Sequence, residues 1–437
     1  MASFEGTKRS DTISPEEVSP GVVATPSGAL PSDAADTIRG GRGADSISAG
    51  GGNDDVAGDG GNDEIDLGGG DDTARWKSGD DGDYILGGEG RDTLMLRGAS
   101  GHESFAIYDG FDGASAYHDR SLATVDTTGV ERIEIEASGG GDYIQVSDLA
   151  DTDLEELAVA FAPGGRDEIA FIGSSEAEAL TLSTDAGVVT VEGLGIVTTL
   201  TGWEQSDSFI ISLGEGNDTV DAADVSGVDL NVATGSGDDL GLLGAGNDRW
   251  GAVGAPGNDT VDGGGGTDTL DLDASVANDV IVLAGDNAAA TASHAGSVIE
   301  MTAFERIEVE GAGGNDQVDG SALTGGVRLL AWGGAGDDTI LGGARADVLE
   351  GGAGDDELTG GGAADRFVFG ADNADGQRSL DTVTDFGARD VLDLRALAGG
   401  YTAETVAEGL LLTFAEGDMD QVLLRGVGSL AEVDVLV

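Results

Sequence analysis

The stretch GGRGADSISAGGGNDDVAGDGGNDEIDLGGGDDTAR, residues 40–75, decides how the rest of the chain is read. It sets Asp45, Asp54, Asp63 and Asp72 nine residues apart and packs glycines between them. Both features cost free energy, because like charges repel and glycine loses more conformational entropy on ordering than any other residue. A fold that uses this stretch must offset both. Four units stand in phase: GGRGADSIS (40–48), AGGGNDDVA (49–57), GDGGNDEID (58–66) and LGGGDDTAR (67–75).

The period continues well beyond this block. After a two-residue slip come SGDDGDYIL (78–86) and GGEGRDTLM (87–95), with Asp83 and Asp92. A second block holds LGEGNDTVD (213–221), LGAGNDRWG (243–251), GAPGNDTVD (254–262) and GGGGTDTLD (263–271), with Asp218, Asp248, Asp259 and Asp268. A third holds GGAGDDTIL (333–341), GGARADVLE (342–350), GGAGDDELT (351–359) and GGGAADRFV (360–368), with Asp338, Asp347, Asp356 and Asp365. A fixed period of this kind marks a solenoid built from stacked repeats.

Each unit divides into a glycine-rich loop, which positive-φ turns require, and a three-residue strand. The middle strand residue points inward: Ile47, Val56, Ile65, Ile85, Leu94, Val220, Val261, Leu270, Ile340, Leu349 and Leu358. Nine residues make half a coil, so alternate units stack with strands about 4.8 Å apart. Stacking pairs Asp45 with Asp63, Asp54 with Asp72 and Asp338 with Asp356. A cation taking 6–8 oxygens suits two carboxylates plus loop carbonyls. The glycines placed to donate are Gly40, Gly41, Gly43 and Gly58 in the first block. In the third they are Gly333, Gly334, Gly336, Gly351, Gly352 and Gly354. Calcium fits this set; magnesium, which demands an octahedron and keeps its waters, fits worse. Several calcium ions are therefore expected. Gly241 replaces the inward aliphatic in the unit at 234–242, and Ala74 shrinks it at 67–75. The slips after Arg75 and Gly251 are expected to interrupt the stacking.

The pattern resembles the RTX, or hemolysin-type, calcium-binding repeat over roughly 31–98, 213–271 and 333–370, and more loosely between. The resemblance implies an all-β fold: a right-handed parallel β-roll with calcium between turns and export through a type I secretion apparatus. The segment ADRFVFGADNADGQRSLDTVTDFGARDVLDLRAL (364–397) looks like the cap that closes β-rolls in serralysin-like proteins. GLLLTFAEGDMDQVLLRGV (409–427) reads as a hairpin turning at Glu416–Asp420. Asp434-Val435-Leu436-Val437 is similar to the acidic-then-aliphatic end of type I secretion substrates.

Composition narrows the partners. The chain has 437 residues, 84 acidic against 20 basic, for a formal net charge of -64. That charge opposes nucleic acid and anionic membrane surfaces and favours a cation. No cysteine is present, so disulfides and thiolate metal sites are excluded. His102, His118 and His294 stand too far apart in sequence to signal a zinc site, and His102 and His118 are expected in solvent. No apolar run reaches the ~18 residues of a membrane span, and no apolar segment follows Lys8 and Arg9 as a cleaved signal peptide would. An extracellular destination must then use another address.

The segments read as a disordered leader (1–30), repeat block one (31–98), strand-rich modules (99–212), block two (213–272), another strand-rich module (273–332), block three (333–370) and a C-terminal cap (371–437). The modules alternate apolar with polar, as in VERIEIEA (130–137), GVVTVEG (187–193) and FERIEVEG (304–311). Residues 128–149 align with 302–323 without a gap, and single Gly-Asp turns recur at Asp142, Asp167 and Asp316. Trp76, Trp203, Trp250 and Trp332 read as core or rim packing rather than a sugar platform. No H-E-x-x-H or G-x-S-x-G occurs, so no enzyme is expected. The expectation is a secreted calcium-binding protein that folds on binding calcium. The alternative is a carrier for a polysaccharide-acting enzyme or adhesin, with the strand-rich modules as its working part and a glycan as partner.

Overall fold

The computed structural model describes residues 1–110, 112–253, 256–370, 379–397, 400–414 and 421–437. Among these the regular structure is almost wholly strand, with no α-helix and one 3₁₀ turn at Leu430–Glu432. The chain forms two compact units: residues 1–214 with 220–228, and residues 215–219 with 229–437.

In the first unit the chain alternates between two sheets. Thr37–Arg42, Asp55–Gly60, Thr73–Lys77 and Thr93–Arg97 stack in parallel in one sheet. Ser46–Ser48, Glu64–Gly69 and Tyr84–Glu89 stack in the other. Ile38 lies opposite Val56 and Ile47 opposite Ile65, so one coil is two nonapeptides. The inward aliphatics Ile47, Val56, Ile65, Ile85 and Leu94 are all fully buried. Burying an aliphatic side chain contributes about 1.5–3 kcal/mol, which a narrow two-sheet coil can collect only against its neighbours.

The second unit repeats the plan. Thr339–Leu341 pairs with Glu357–Thr359, Arg328–Ala335 with Val348–Ala353, and Val348–Ala353 with Arg366–Val368, all in parallel. Val261, Leu270, Ile340, Leu349 and Leu358 fill its interior. The space beside Gly241 is taken by the Trp250 ring, which a Cβ there would strike, and Trp250 is completely buried. Trp76 likewise stands two residues from the small Ala74 on the inward face and gives its indole N–H to the Asp81 carbonyl at 2.9 Å. Trp203 and Trp332 are half-buried.

The strand-rich modules are antiparallel meanders spliced into these sheets. Ser104–Asp109, Ala114–His118 and Ala123–Thr128 form one, inserted between Tyr84–Glu89 and Tyr143–Val146. Ala179–Asp185, Val188–Gly193 and Ile196–Thr201 form a second. In the second unit Val280–Asp286, Ala289–His294 and Ser297–Thr302 stand between Thr260–Asp262 and Gln317–Leu323. Near the C-terminus Gly409–Phe414 pairs antiparallel with Tyr401–Thr405 and Gln421–Arg425. The turn expected at 416–420 lies outside the described residues, as do residues 371–378 of the cap. The terminal Asp434–Leu436 forms a strand parallel to Val391–Asp393.

Three expectations are corrected. Residues 1–30 are not a disordered leader: Ser3–Glu5 pairs in parallel with Thr37–Arg42, and Thr12–Ile13 with Ser46–Ser48. Phe4 and Ile13 are fully buried there, so this segment starts the coil without the nonapeptide sequence. The slips do not interrupt stacking either. The strands on both sides of each slip stay in register, Ile65 with Ile85 and Trp250 with Leu270, so the coil lengthens by two residues. Finally, His118 is buried at 2% exposure against Trp76 and Phe105, because the meander folds it inward. His102 is exposed, as expected.

Candidate metal centre

The repeat loops bring their aspartates into ladders. In most of them Oδ1 accepts the backbone N–H of the aspartate one coil earlier, whereas Asp248 and Asp347 accept from the N–H groups of Leu230 and Leu329. Asp45 N–H donates to Asp63 at 2.7 Å, and Asp63 N–H to Asp83 at 2.9 Å. On the other side Asp54 N–H donates to Asp72 at 2.7 Å, and Asp72 N–H to Asp92 at 2.9 Å. In the second unit the ladders run from Asp218 through Asp239 to Asp259, from Asp248 to Asp268, from Asp316 through Asp338 to Asp356, and from Asp347 to Asp365. Every aspartate expected as a ligand stands in a ladder, and the three expected pairs are direct neighbours.

The second carboxylate oxygen is the informative one. Oδ2 of Asp45, Asp54, Asp63, Asp72 and Asp92 is buried without a hydrogen-bond donor. The same holds for Asp239, Asp259, Asp268, Asp316, Asp338 and Asp356. A buried ionised oxygen left in this state is strongly unfavourable. Beside it lies space reserved by glycine. A Cβ at Gly40 would stand 2.6 Å from Asp45 Oδ2 and 2.7 Å from the Gly58 carbonyl oxygen. A Cβ at Gly333 would strike Asp338 Oδ2 and stand 2.6 Å from the Gly351 carbonyl oxygen. Cβ atoms at Gly58 and Gly351 would collide with Oδ2 of Asp63 and Asp356. Gly41, Gly43, Gly334, Gly336, Gly352 and Gly354 have φ between 100° and 131°, which steers the peptide groups around the carboxylates.

The charges respond to this setting. Burial, only partly offset by the N–H of the preceding turn and reinforced by neighbouring aspartates, pushes the carboxyls up. Asp54, Asp259, Asp268, Asp338 and Asp365 reach about 7. Asp63, Asp92, Asp248 and Asp356 reach about 6, and Asp83 about 8. Asp45 and Asp72 move up for the same leading reason. No three acidic or histidine side chains converge among the described residues. Any ion held here therefore needs main-chain carbonyls to complete an all-oxygen set, which calcium accepts and zinc does not favour. The donor set fits calcium.

Asp347 departs from its neighbours. Its Oδ2 accepts the Gly343 N–H at 2.6 Å, so its turn is closed by its own chain. The sequence also leaves members unnoticed. Asp11 N–H donates to Asp45, Asp36 N–H to Asp54, and Asp365 N–H to Asp390. Glu131 and Glu305 accept from the Asp92 and Asp268 N–H groups. Their signal was present, since 131 and 305 occupy matching positions in the two segments that align without a gap.

The model of the RTX calcium-binding nonapeptide repeat matches four segments of the chain: 32–65, 77–96, 252–275 and 332–367. These hold most of the ladder aspartates, while Asp72, Asp218, Asp239, Asp248 and Asp316 lie outside them. No curated protein matches the chain. Among solved structures it is similar to the extracellular lipase LipA from Serratia marcescens, at 13% identity and a TM-score of 0.18. The match covers 68% of this chain and 45% of the lipase chain, so this chain spans less than half of that protein. So distant a likeness bears on neither fold nor activity.

Proposed function

Starting from a chain that carries RTX calcium-binding repeats, we propose a secreted protein whose nonapeptide turns fold as they take up calcium outside the cell. One observation carries this reading: stacked, buried carboxylates whose second oxygens meet no donor. Without a cation, folding must bury these like charges or leave them protonated. With calcium, each ion offsets two charges and ties adjacent turns, so binding free energy becomes folding free energy. At a formal net charge of -64, a low-calcium cytosol favours an extended chain. Calcium at about the millimolar level outside the cell matches the affinity range of extracellular calcium modules.

Export by a type I apparatus is part of the proposal, supported by the repeats. A non-enzymatic role is likewise proposed, resting on the missing protease and lipase motifs. The test follows far-UV circular dichroism and hydrodynamic radius while calcium rises from nil to about 10 mM, with magnesium as control. Compaction with a cooperative gain of β signal in calcium alone is expected. A chain equally compact in chelator would overturn the coupling of folding to calcium.

A further inference from the structure

Sixteen of the ladder carboxylates fall into two classes, and one backbone angle separates them. In six turns the carboxylate accepts the N–H of the residue four positions earlier. The pairs are Thr7 with Asp11 at 2.6 Å, Ser32 with Asp36 at 3.1 Å and Ala99 with Glu103 at 2.5 Å. Ser174 with Glu178 at 2.9 Å, Ser275 with Asp279 at 2.9 Å and Gly343 with Asp347 at 2.6 Å complete the class. None of these six donor residues has a left-handed φ.

In ten turns that residue is left-handed and no donor reaches the buried Oδ2. Gly41, Gly50, Gly68, Gly88, Gly334 and Gly352 have φ from 94° to 107°, and they precede Asp45, Asp54, Asp72, Asp92, Asp338 and Asp356. Gly235 at 92° and Gly264 at 79° precede Asp239 and Asp268 in the same way. Oδ2 of each of these aspartates is buried without a partner. Two cases use a side chain that disfavours the conformation, Asp59 at 63° before Asp63 and Ala312 at 64° before Asp316. The reason is geometric. Left-handed φ turns the N–H away from the carboxylate, whereas ordinary φ aims it there. Asp248 stands between the classes: its Oδ2 has no well-formed hydrogen bond, yet the Gly244 N–H still favours its ionised form.

We propose that this angle sorts the ladder into calcium-taking and self-closed turns, which adds sites at Asp239 and Asp316 and removes Asp347. The assignment rests on the calcium reading above. Asp239 and Asp316 lie outside the segments matched by the repeat family. Each is 3% exposed with a donor-free Oδ2, and a Cβ at Gly311 would stand 2.8 Å from Asp316 Oδ2 and strike the Gly333 carbonyl. Asp347 has a repeat sequence but has already spent its acceptor on Gly343. An ion there would have to displace a buried hydrogen bond. Two self-closed turns gain a second lock: His118 Nε2 lies 3.2 Å from Glu103, and His294 Nε2 lies 3.1 Å from Asp279.

The experiment counts calcium ions on the full chain by native mass spectrometry at saturating calcium. Asp316→Asn and Asp239→Asn are each expected to lose at least one ion relative to the parent, while Asp347→Asn keeps the full count. Full retention in both of the first two, or loss in the third, overturns the sorting. A parent chain that takes no calcium would overturn the calcium reading itself, and the assignment with it. Should a variant fail to compact, anomalous diffraction from parent crystals grown with calcium decides the matter. Peaks are expected beside Asp239 and Asp316 and none beside Asp347, and the reverse pattern refutes the proposal.

Discussion

The nonapeptide turns around Asp45–Asp92 and the meander around Glu103–His118 face one problem in the same unit and solve it differently. Both bury carboxylates in a stacked coil. In the nonapeptide turns Oδ2 meets no donor, and glycine keeps the neighbouring space free. In the meander Glu103 is fully buried, yet it accepts from Ser78 Oγ at 2.7 Å, from the Ala99 N–H and from His118. The first arrangement is incomplete without a cation; the second is complete by itself. A single ladder can therefore mix parts that wait for calcium with parts that do not.

The largest effect should come from removing calcium. In chelator, amide protection measured by hydrogen exchange is expected to fall across 37–98 and 333–370 before it falls across the meanders at 104–128 and 280–302. Uniform loss along the chain would break the comparison.

Next in size is the response to pH in chelator. The folded aspartates titrate near 6 to 8, well above an unfolded value near 3.8, so the folded nonapeptide turns hold more protons. Their stability is then fully present below about pH 4 and is lost as pH rises through about 7. Denaturant melts at pH 5 and pH 8 without calcium should show the lower stability at pH 8. Saturating calcium should remove that slope, since the ion replaces the proton. A chelated protein more stable at pH 8 would contradict the sign.

Trp250→Ala tests packing apart from ions. The ring is completely buried over Gly241, and its loss should cost about 3–5 kcal/mol in urea unfolding under saturating calcium.

The smallest effect sharpens the comparison most. His118→Ala should cost about 1–3 kcal/mol, equally with calcium and with chelator, because Glu103 is closed by protein groups. Asp63→Ala should instead lower calcium affinity and cost more with calcium than with chelator, where only the Asp45 N–H bond is lost. Calorimetry with unchanged calcium stoichiometry for Asp63→Ala would remove that residue from the ligand set.

Much of this was readable in the chain. The nine-residue period places Ile47 over Ile65 and Asp45 over Asp63, and both stacks form. The N-terminal coil was not readable, because Phe4 and Ile13 join it without a glycine-aspartate signature. Nor was tolerance of the slips, since a coil absorbs two residues as long as its strands keep register. His118 looked exposed among polar neighbours, and only the meander carries it inward beneath Trp76.

The sequence by itself determined the coil, the inward aliphatic row and the oxygen-rich loops, because period and side-chain alternation leave few other ways to bury the apolar residues. Which loops leave a carboxylate without a donor was decided by tertiary structure. Gly343 and Gly352 occupy the same place in successive units, four residues before Asp347 and Asp356. Gly352 is left-handed at 107° and Gly343 is not, so one carboxylate lacks a donor while the other is closed. Glycine permits both signs of φ, and the packing of neighbouring turns selects between them.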